Sequence, residues 1–143
     1  MTQLTFKVKG ARITRRGLED LGAAIPKIGR SRIRAMLDRV VKFMKVEPAE
    51  RPGQTYIRTG RLSRGWKIQR IGAIGYKILN QAAFRGRRYA KYVVGSATGE
   101  KQARIHRGRW PLFRNVVDAE GAKLPRDVAK HIKLKARKLR FFA

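Results

Sequence analysis

The stretch IGRSRIRAMLDRVVKFM, residues 28–44, carries apolar side chains with the period of an amphipathic helix. From Ile33 onward the apolar positions fall at i, i+3, i+4, i+7, i+8 and i+11, which places them on one helical face. The other face is basic, with Asp38 among Arg30, Arg32, Arg34, Arg39, Lys42 and Lys45. We therefore predict a long helix that ends near Val46 and packs its apolar face on a core.

Upstream of this helix the sequence predicts a strand and a short first helix. Leu4, Phe6 and Val8 alternate with polar residues, which is the period of a half-buried strand over residues 3–9. Thr14 can cap a short helix. Pro26 is expected to stop or kink that helix, or to open the helix that follows.

Downstream of the long helix the sequence predicts a loop and then a sheet. Residues 47–64 contain Pro48, Pro52, Gly53 and Gly60, and long ordered loops of this kind are often functional. Three runs then have strand composition and predict an antiparallel meander: 65–71, 76–80 and 89–94.

The C-terminal third is expected to be irregular over residues 102–110 and helical afterwards. Pro111 can open a short helix through Val117, and apolar residues from Leu124 to Leu139 predict a final helix. The predicted class is α+β: one domain over residues 1–143, with a small antiparallel β-sheet packed against the long amphipathic helix and a C-terminal helix.

The charge of the chain is strongly unbalanced. It has 36 Lys and Arg against nine Asp and Glu, a formal net charge of +27, and no acidic residue between Glu50 and Glu100. The excess is spread along the whole chain, so it does not form a basic tail. Such a polycation repels itself when folded, and we expect a polyanion or an acidic protein surface as its neighbour.

The residues that catalysis or metal binding would need are sparse. The chain has no Cys, and its two His, His106 and His131, stand far apart in sequence without a nearby carboxylate pair. We expect no enzymatic activity, no cofactor and no metal site. No apolar run has the length of a signal peptide or a membrane span, so we expect a protein made in the cytoplasm.

Nucleic-acid binding is one interpretation of the basic segments. Aromatic residues interleave with Arg, as base-stacking platforms require: Tyr56, Trp66, Tyr76, Phe84, Tyr89, Tyr92 and Trp110. The alternative is that Trp66, Tyr89 and Tyr92 are core or cross-strand residues. The candidates for facing a polyanion are Arg85, Arg87, Arg88, Arg104, Arg107 and Arg109. Contacts of this kind would be made to phosphates, sensitive to salt and indifferent to sequence.

Two short motifs follow the long helix in a specific order. The first is TGRLSRGW at residues 59–66, and the second is YAKYVVG at residues 89–95, with Asn80 between them. The order resembles that of small neck, tail-completion or head-to-tail joining proteins of long-tailed bacteriophages. The residues that match the family pattern are Thr59, Gly60 and Leu62 in the first motif and Tyr89, Ala90, Tyr92, Val93 and Gly95 in the second. The resemblance covers residues 1–135 approximately.

The resemblance implies a structural role in the virion. Relatives form rings, commonly of six or twelve copies, that join the portal or connector to the tail tube or its terminator protein, with genomic DNA passing nearby. The loop would then supply subunit contacts through Pro52, Tyr56, Arg58, Thr59, Gly60, Arg61 and Leu62, while Trp66 and the second motif would be structural. The alternative function is a sequence-independent nucleic-acid-binding protein, ribosome-associated or DNA-compacting.

Overall fold

The computed structural model of the chain describes residues 11–50, 52–53, 59–73, 75–96 and 102–139, with side chains from Arg15 onward. The strand predicted over residues 3–9 and the candidate contacts Tyr56 and Arg58 lie outside these ranges.

A single helix, α1 (Ala11–Met44), occupies the N-terminal part of the described chain. The predictions that Thr14 caps a helix and that Pro26 stops one helix or opens the next were wrong, because α1 begins before Thr14 and continues through Pro26. Proline in a helix interior removes one backbone hydrogen bond at a cost of about 3 kcal/mol.

The predicted apolar face of α1 is confirmed over its C-terminal part. Met36, Leu37, Val40, Val41 and Met44 are all buried. Leu18 and Ile25, in the N-terminal half, are exposed. The core therefore surrounds only the last third of a helix that is about 50 Å long at 1.5 Å per residue.

A helical turn ends the long loop. α2 (Arg61–Arg64) follows Gly60, so the connection is shorter than the predicted 47–64. Gly60 has φ 63°, in the left-handed region that glycine adopts without strain, and it redirects the chain into α2.

Two of the three predicted strands are confirmed and form a hairpin. β1 (Trp66–Ile71) pairs antiparallel with β2 (Gly75–Asn80), with Trp66 opposite Asn80 and Ile71 opposite Gly75. Trp66 is buried, and Ile68 and Ile78 pack against the core from the same face. Arg30 of α1 donates to the carbonyl oxygen of Ala73 in the hairpin turn at 3.3 Å, so the turn lies beside the middle of α1.

The prediction of a third strand over residues 89–94 was wrong. A two-residue ribbon, β3 (Ala83–Phe84) with β4 (Arg87–Arg88), comes next, and the second motif forms a short helix, α3 (Ala90–Val94). Ala90, Val93 and Val94 are buried whereas Lys91 and Tyr92 are exposed. The buried residues thus have helical spacing. The β-branched valines suggested a strand, but strand propensity is a weaker influence than packing, and packing decides the conformation here.

The C-terminal helices pack on α1. A 3₁₀ turn (Arg104–His106) lies within the segment predicted to be irregular, and α4 (Phe113–Gly121) begins later and ends later than the predicted 111–117. The final helix is confirmed as α5 (Leu124–Lys138).

Two contacts fix the direction of these helices. Arg39 pairs with Glu120 of α4 at 2.6 Å, and Arg32 contacts His131 of α5 at 3.0 Å. Later residues thus meet earlier positions of α1, which makes the packing antiparallel and carries α5 along the helix toward Pro26. With a long helix, a small antiparallel sheet and a C-terminal helix, the α+β class is confirmed. None of the described helices is long and apolar enough to cross a membrane.

Candidate assembly groove

A groove of about 610 Å³ lies between the long loop, α2, α3 and residues 105–110. We call it the arm groove. Both sequence motifs reach it, Thr59, Gly60 and Leu62 from the first and Tyr89 and Val93 from the second. Segments that are thirty residues apart in sequence therefore form one concave surface.

The arm groove offers apolar side chains to an occupant. Leu62 and Val93 are buried members of the core, and Tyr89 and Trp110 pack against that core while also lining the groove. Ile105 stands at the groove with 70% of its surface exposed. Large apolar surface in a concave place is typical of a binding site, because an apolar ligand group displaces water there.

Charged residues surround this apolar floor. Glu47 is the carboxylate among the lining residues, and the Ser63 hydroxyl lies 3.1 Å from its Oε1 atom. Arg61 and Arg109 are the guanidinium groups, and Arg109 donates to the carbonyl oxygen of Ala49 at 2.7 Å. Arg109 thereby ties the start of the long loop to the opposite wall of the groove.

Asn80 holds the first motif in place. Its side-chain amide donates to the carbonyl oxygen of Leu62 at 2.8 Å, and its Oδ1 atom accepts from the backbone N–H of Ala82 at 2.8 Å. One side chain therefore links the hairpin to α2. This contact is a structural role for the Asn that lies between the two motifs.

Gln102 joins α3 to residues 109–110 on the side of the arm groove opposite the long loop. The sequence analysis did not identify this residue. The side chain is buried, and its Nε2 atom donates to the carbonyl oxygens of Val93 at 2.5 Å and Trp110 at 3.0 Å. The next residue adds a backbone hydrogen bond: the N–H of Ala103 donates to the carbonyl oxygen of Tyr92 at 2.8 Å. A lone Gln in a basic segment gives no sequence signal for this role, since its partners are two distant backbone carbonyls.

A second groove of about 750 Å³ lies at the C-terminal end of α1, and we call it the helix-end groove. Phe43, Val46 and Leu112 line it and are all exposed. Arg109 and Trp110 line both grooves, so residues 109–110 form a shared wall.

The predicted interface residues within the described ranges gather at the arm groove. Pro52, Thr59, Gly60 and Arg61 line it, and Leu62 contributes to its floor from the core.

The predicted structural residues are mostly internal. Trp66 stacks on Phe113 with ring centroids 5.4 Å apart, and its buried Nε1 atom has no hydrogen-bond partner among the described residues. Ala90 and Val93 are buried, and so is Gly95, whose φ of 73° ends α3. Tyr92 is instead exposed, with the Lys91 ammonium group 5.1 Å from its ring centroid.

The six basic candidates occupy two separate segments. Arg85, Arg87 and Arg88 are exposed on the β3–β4 ribbon, where Arg85 has φ 48° and stacks 5.3 Å from the Phe84 ring centroid. Arg104 and Arg107 are exposed around the 3₁₀ turn, and Arg107 donates weakly to the carbonyl oxygen of Gln102 at 3.4 Å. Arg109 faces the long loop, as described above.

Within the described part of the chain, no group of three His, Cys, Asp or Glu side chains is arranged to hold a metal ion. The chain matches no family model, no curated protein and no solved structure.

Proposed function

We propose that this chain is a structural subunit of the neck of a tailed bacteriophage, assembling as a ring that joins the portal or connector to the tail. The observation that carries the proposal is that both motifs of the resemblance line the arm groove. A groove with an apolar floor suits a static protein contact, in which an apolar side chain of a neighbour is buried.

Ring assembly requires two unlike surfaces on each copy, because the contact between neighbours is heterologous. The arm groove is one such surface. The helix-end groove is a different apolar surface, and the exposed N-terminal half of α1 is a third. The molecule thus has enough distinct contact surfaces for a ring and for a partner above or below it.

The net charge of +27 fits a place beside acidic neighbours. Copies of a cation this dense repel one another, and an acidic connector or tail protein, or the DNA that passes through the neck, would neutralise them. The charge supports the location in the particle, whereas the groove supports the assembly role.

Electron cryo-microscopy of the virion that contains this chain tests the proposal. We expect a ring of density at the head–tail junction into which the α1 helix and the hairpin fit. Absence of the chain from the neck would overturn the assignment.

A matched pair of variants tests the groove itself. Ile105→Asp places a charge at the arm groove, and Phe84→Asp places one at a comparably exposed apolar site on the ribbon. We expect the Ile105 variant to be lost from particles and the Phe84 variant to be retained. Equal incorporation of both variants would show that the arm groove is not an assembly surface.

A second candidate function is sequence-independent nucleic-acid binding, favoured by the β3–β4 ribbon. Its exposed Arg85, Arg87 and Arg88 flank an exposed Phe84, which combines phosphate-binding cations with a stacking ring. Titration of duplex DNA at several salt concentrations decides this function. Submicromolar affinity at physiological salt with a steep salt dependence would favour it, and replacing the three arginines with Ser should then reduce the slope by up to about three.

A further inference from the structure

We propose that the solvent-facing side of α5 binds the phosphate backbone of duplex DNA without reading its sequence. The contact residues are four cations, which we call the α5 stripe: Arg126, Lys130, Lys133 and Arg137. The inference goes beyond the ring assignment, which requires no contact with DNA. It also names a surface other than the β3–β4 ribbon.

The α5 stripe is one continuous row along the helix. Its members are spaced i, i+4, i+7 and i+11, so at 3.6 residues per turn they fall within an arc of about 60°. All four are exposed. Val128 and His131, on the other side of the helix, are partly buried, and His131 contacts Arg32 of α1. The stripe therefore points away from α1 and into solvent.

No carboxylate neutralises the stripe within the described part of the chain. None of its four side chains makes an ion pair or a hydrogen bond with a residue that the structure describes. The one carboxylate of α5, Asp127, is instead turned toward His131, with its Oδ1 atom 3.4 Å from Nδ1 of the ring. The stripe is thus a row of cations whose charges are balanced only by solvent ions.

The other long helices treat the same spacing differently. Arg34 pairs with Asp38 on α1 at 3.2 Å, and Arg114 pairs with Asp118 on α4 at 3.7 Å, both as i, i+4 pairs of opposite charge. On α5 the i, i+4 spacing places cation beside cation, twice within the stripe, and like charges at this spacing destabilise a helix. An anion that lies along the row relieves this repulsion, so the arrangement suits a bound polyanion.

The dimensions of the stripe fit a nucleic-acid strand. Arg137 follows Arg126 by eleven residues, which is about 17 Å at 1.5 Å per residue. One strand of duplex DNA presents a phosphate about every 3.4 Å along the axis, so about five phosphates lie within that length. α5 has no Asn, Gln, Ser or Thr that could read base edges. We therefore expect affinity without sequence preference.

The same surface lacks the composition of a protein interface. Stable protein interfaces bury an apolar centre and place their charges at the rim. Here the centre is charged, and the exposed large apolar residue of α5, Leu134, lies beside the stripe and not within it. These features favour a phosphate backbone over an acidic protein as the partner.

Titration of a labelled duplex of about 20 base pairs with the full chain, at salt concentrations from about 50 to 300 mM, tests the proposal by fluorescence anisotropy. The stripe variant combines Arg126→Gln, Lys130→Gln, Lys133→Gln and Arg137→Gln. The control variant changes four exposed cations of α1 in the same way: Arg16→Gln, Lys27→Gln, Lys42→Gln and Lys45→Gln. Each variant loses four charges, from +27 to +23, so the two differ only in where the charge is removed.

We expect the stripe variant to bind about tenfold more weakly or worse near physiological salt. The slope of log K against log salt should fall by about 3 to 4, because each phosphate contact contributes about 0.9. The control variant should change the slope by about one or less. Equal losses in the two variants would show general attraction to a cation and overturn the proposal. A parent chain that does not bind the duplex would overturn it too, and so would binding that is lost only when Arg85, Arg87 and Arg88 are replaced.

Two further measurements complete the test. Circular dichroism reports whether the stripe variant keeps its helices. If it does not, the half variant Arg126→Gln with Lys130→Gln replaces it and should lose about half as much slope, with no loss overturning the proposal. Poly-glutamate is the second probe. We expect it to bind the parent at least about tenfold more weakly than the duplex, since its charge density is lower, and tighter binding would identify an acidic protein as the partner instead. All of these results are read on the isolated chain, so the neck location stands or falls separately.

Discussion

The guanidinium group of Arg32 on α1 donates through Nη1 to the Nε2 atom of His131 on α5, 3.0 Å away. Arginine has no acceptor, so Nε2 of His131 must be unprotonated in this contact. The other ring nitrogen, Nδ1, lies 2.8 Å from the carbonyl oxygen of Asp127 and donates to it. The network thus assigns one neutral tautomer and joins two helices that are far apart in sequence.

Removing this contact should weaken the α1–α5 packing. We expect His131→Ala to lower the free energy of unfolding by about 1 kcal/mol, the usual net contribution of a partly buried hydrogen bond. Urea denaturation measures it, with the exposed Lys130→Ala as a control expected to stay within about 0.5 kcal/mol of the parent. A double-mutant cycle with Arg32→Ala should give a clear coupling energy, and simple additivity would contradict the pairing.

Glu120 should make the free energy of unfolding depend on pH in the acid range. Hydrogen bonds from Arg39 and then Lys123 lower the pKa of the Glu120 carboxyl below its ordinary value. A carboxyl with a lowered folded-state pKa stabilises the fold above its unfolded-state pKa, and this stabilisation is lost as pH falls through the folded-state value. We expect Glu120→Gln to cost about 1 kcal/mol at pH 7 and to make unfolding less sensitive to acid.

Denaturation at a series of pH values from neutral to strongly acid checks this prediction. The control is Asp118→Asn on the same helix, whose carboxylate is 69% exposed and 3.7 Å from Arg114. Exposed pairs of this kind contribute about 0.5 kcal/mol or less. If both variants lose stability equally and keep the parent's acid profile, the Arg39–Glu120 contact does not have this role.

Two glycines should respond to alanine in opposite directions. A Cβ atom on Gly65 would lie 2.5 Å from Asn80 Oδ1 and 2.8 Å from the backbone nitrogen of Ala82, so Gly65→Ala should destabilise by about 1–3 kcal/mol. Gly22 lies inside α1, and a Cβ atom added there would have no other atom within 4 Å. Gly22→Ala should therefore stabilise the fold by up to about 1 kcal/mol. Thermal unfolding of the two variants checks the signs. A Gly65→Ala protein as stable as the parent would contradict the close junction of α2 with the hairpin.

Gln102 should keep the segment from Ala103 to Trp110 well ordered, and this segment includes the wall that the two grooves share. Gln102→Met keeps the approximate volume but leaves the carbonyls of Val93 and Trp110 without their donor, which should cost about 2 kcal/mol. Hydrogen exchange of the backbone N–H groups between Ala103 and Trp110 should become faster, because the segment loses its side-chain anchor. Gln69→Met on the exposed face of β1 is the control, and unchanged exchange in the Gln102 variant would contradict the anchoring role.

Periodicity was sufficient for the elements that pack one face on the core. The apolar spacing in the C-terminal part of α1 and in α5, and the alternation in β1 and β2, predicted their type and approximate bounds. The same reasoning failed at Val93 and Val94, where two β-branched residues suggested a strand in a short helix. It also failed at Pro26, which lies inside α1 although proline is unfavourable in a helix interior.

The arm groove could be predicted only in part. The loop residues were identified by their Pro and Gly content, and the second motif was identified by resemblance, but neither shows that the two segments face one concave surface. Their meeting depends on Asn80 and Gln102, which bind backbone carbonyls of other elements. Contacts of a side chain with a distant carbonyl leave no periodic pattern in a sequence.

Arg109 and Trp110 line both grooves, so the two surfaces share a wall. An occupant that displaces Trp110 on entering one groove changes the dimensions of the other, so two partners on these surfaces would not bind independently. Linkage makes such an effect reciprocal: whichever partner arrives first alters the affinity for the second by the same factor. Two partners on these surfaces would therefore be coupled through residues 109–110, whichever of them binds first.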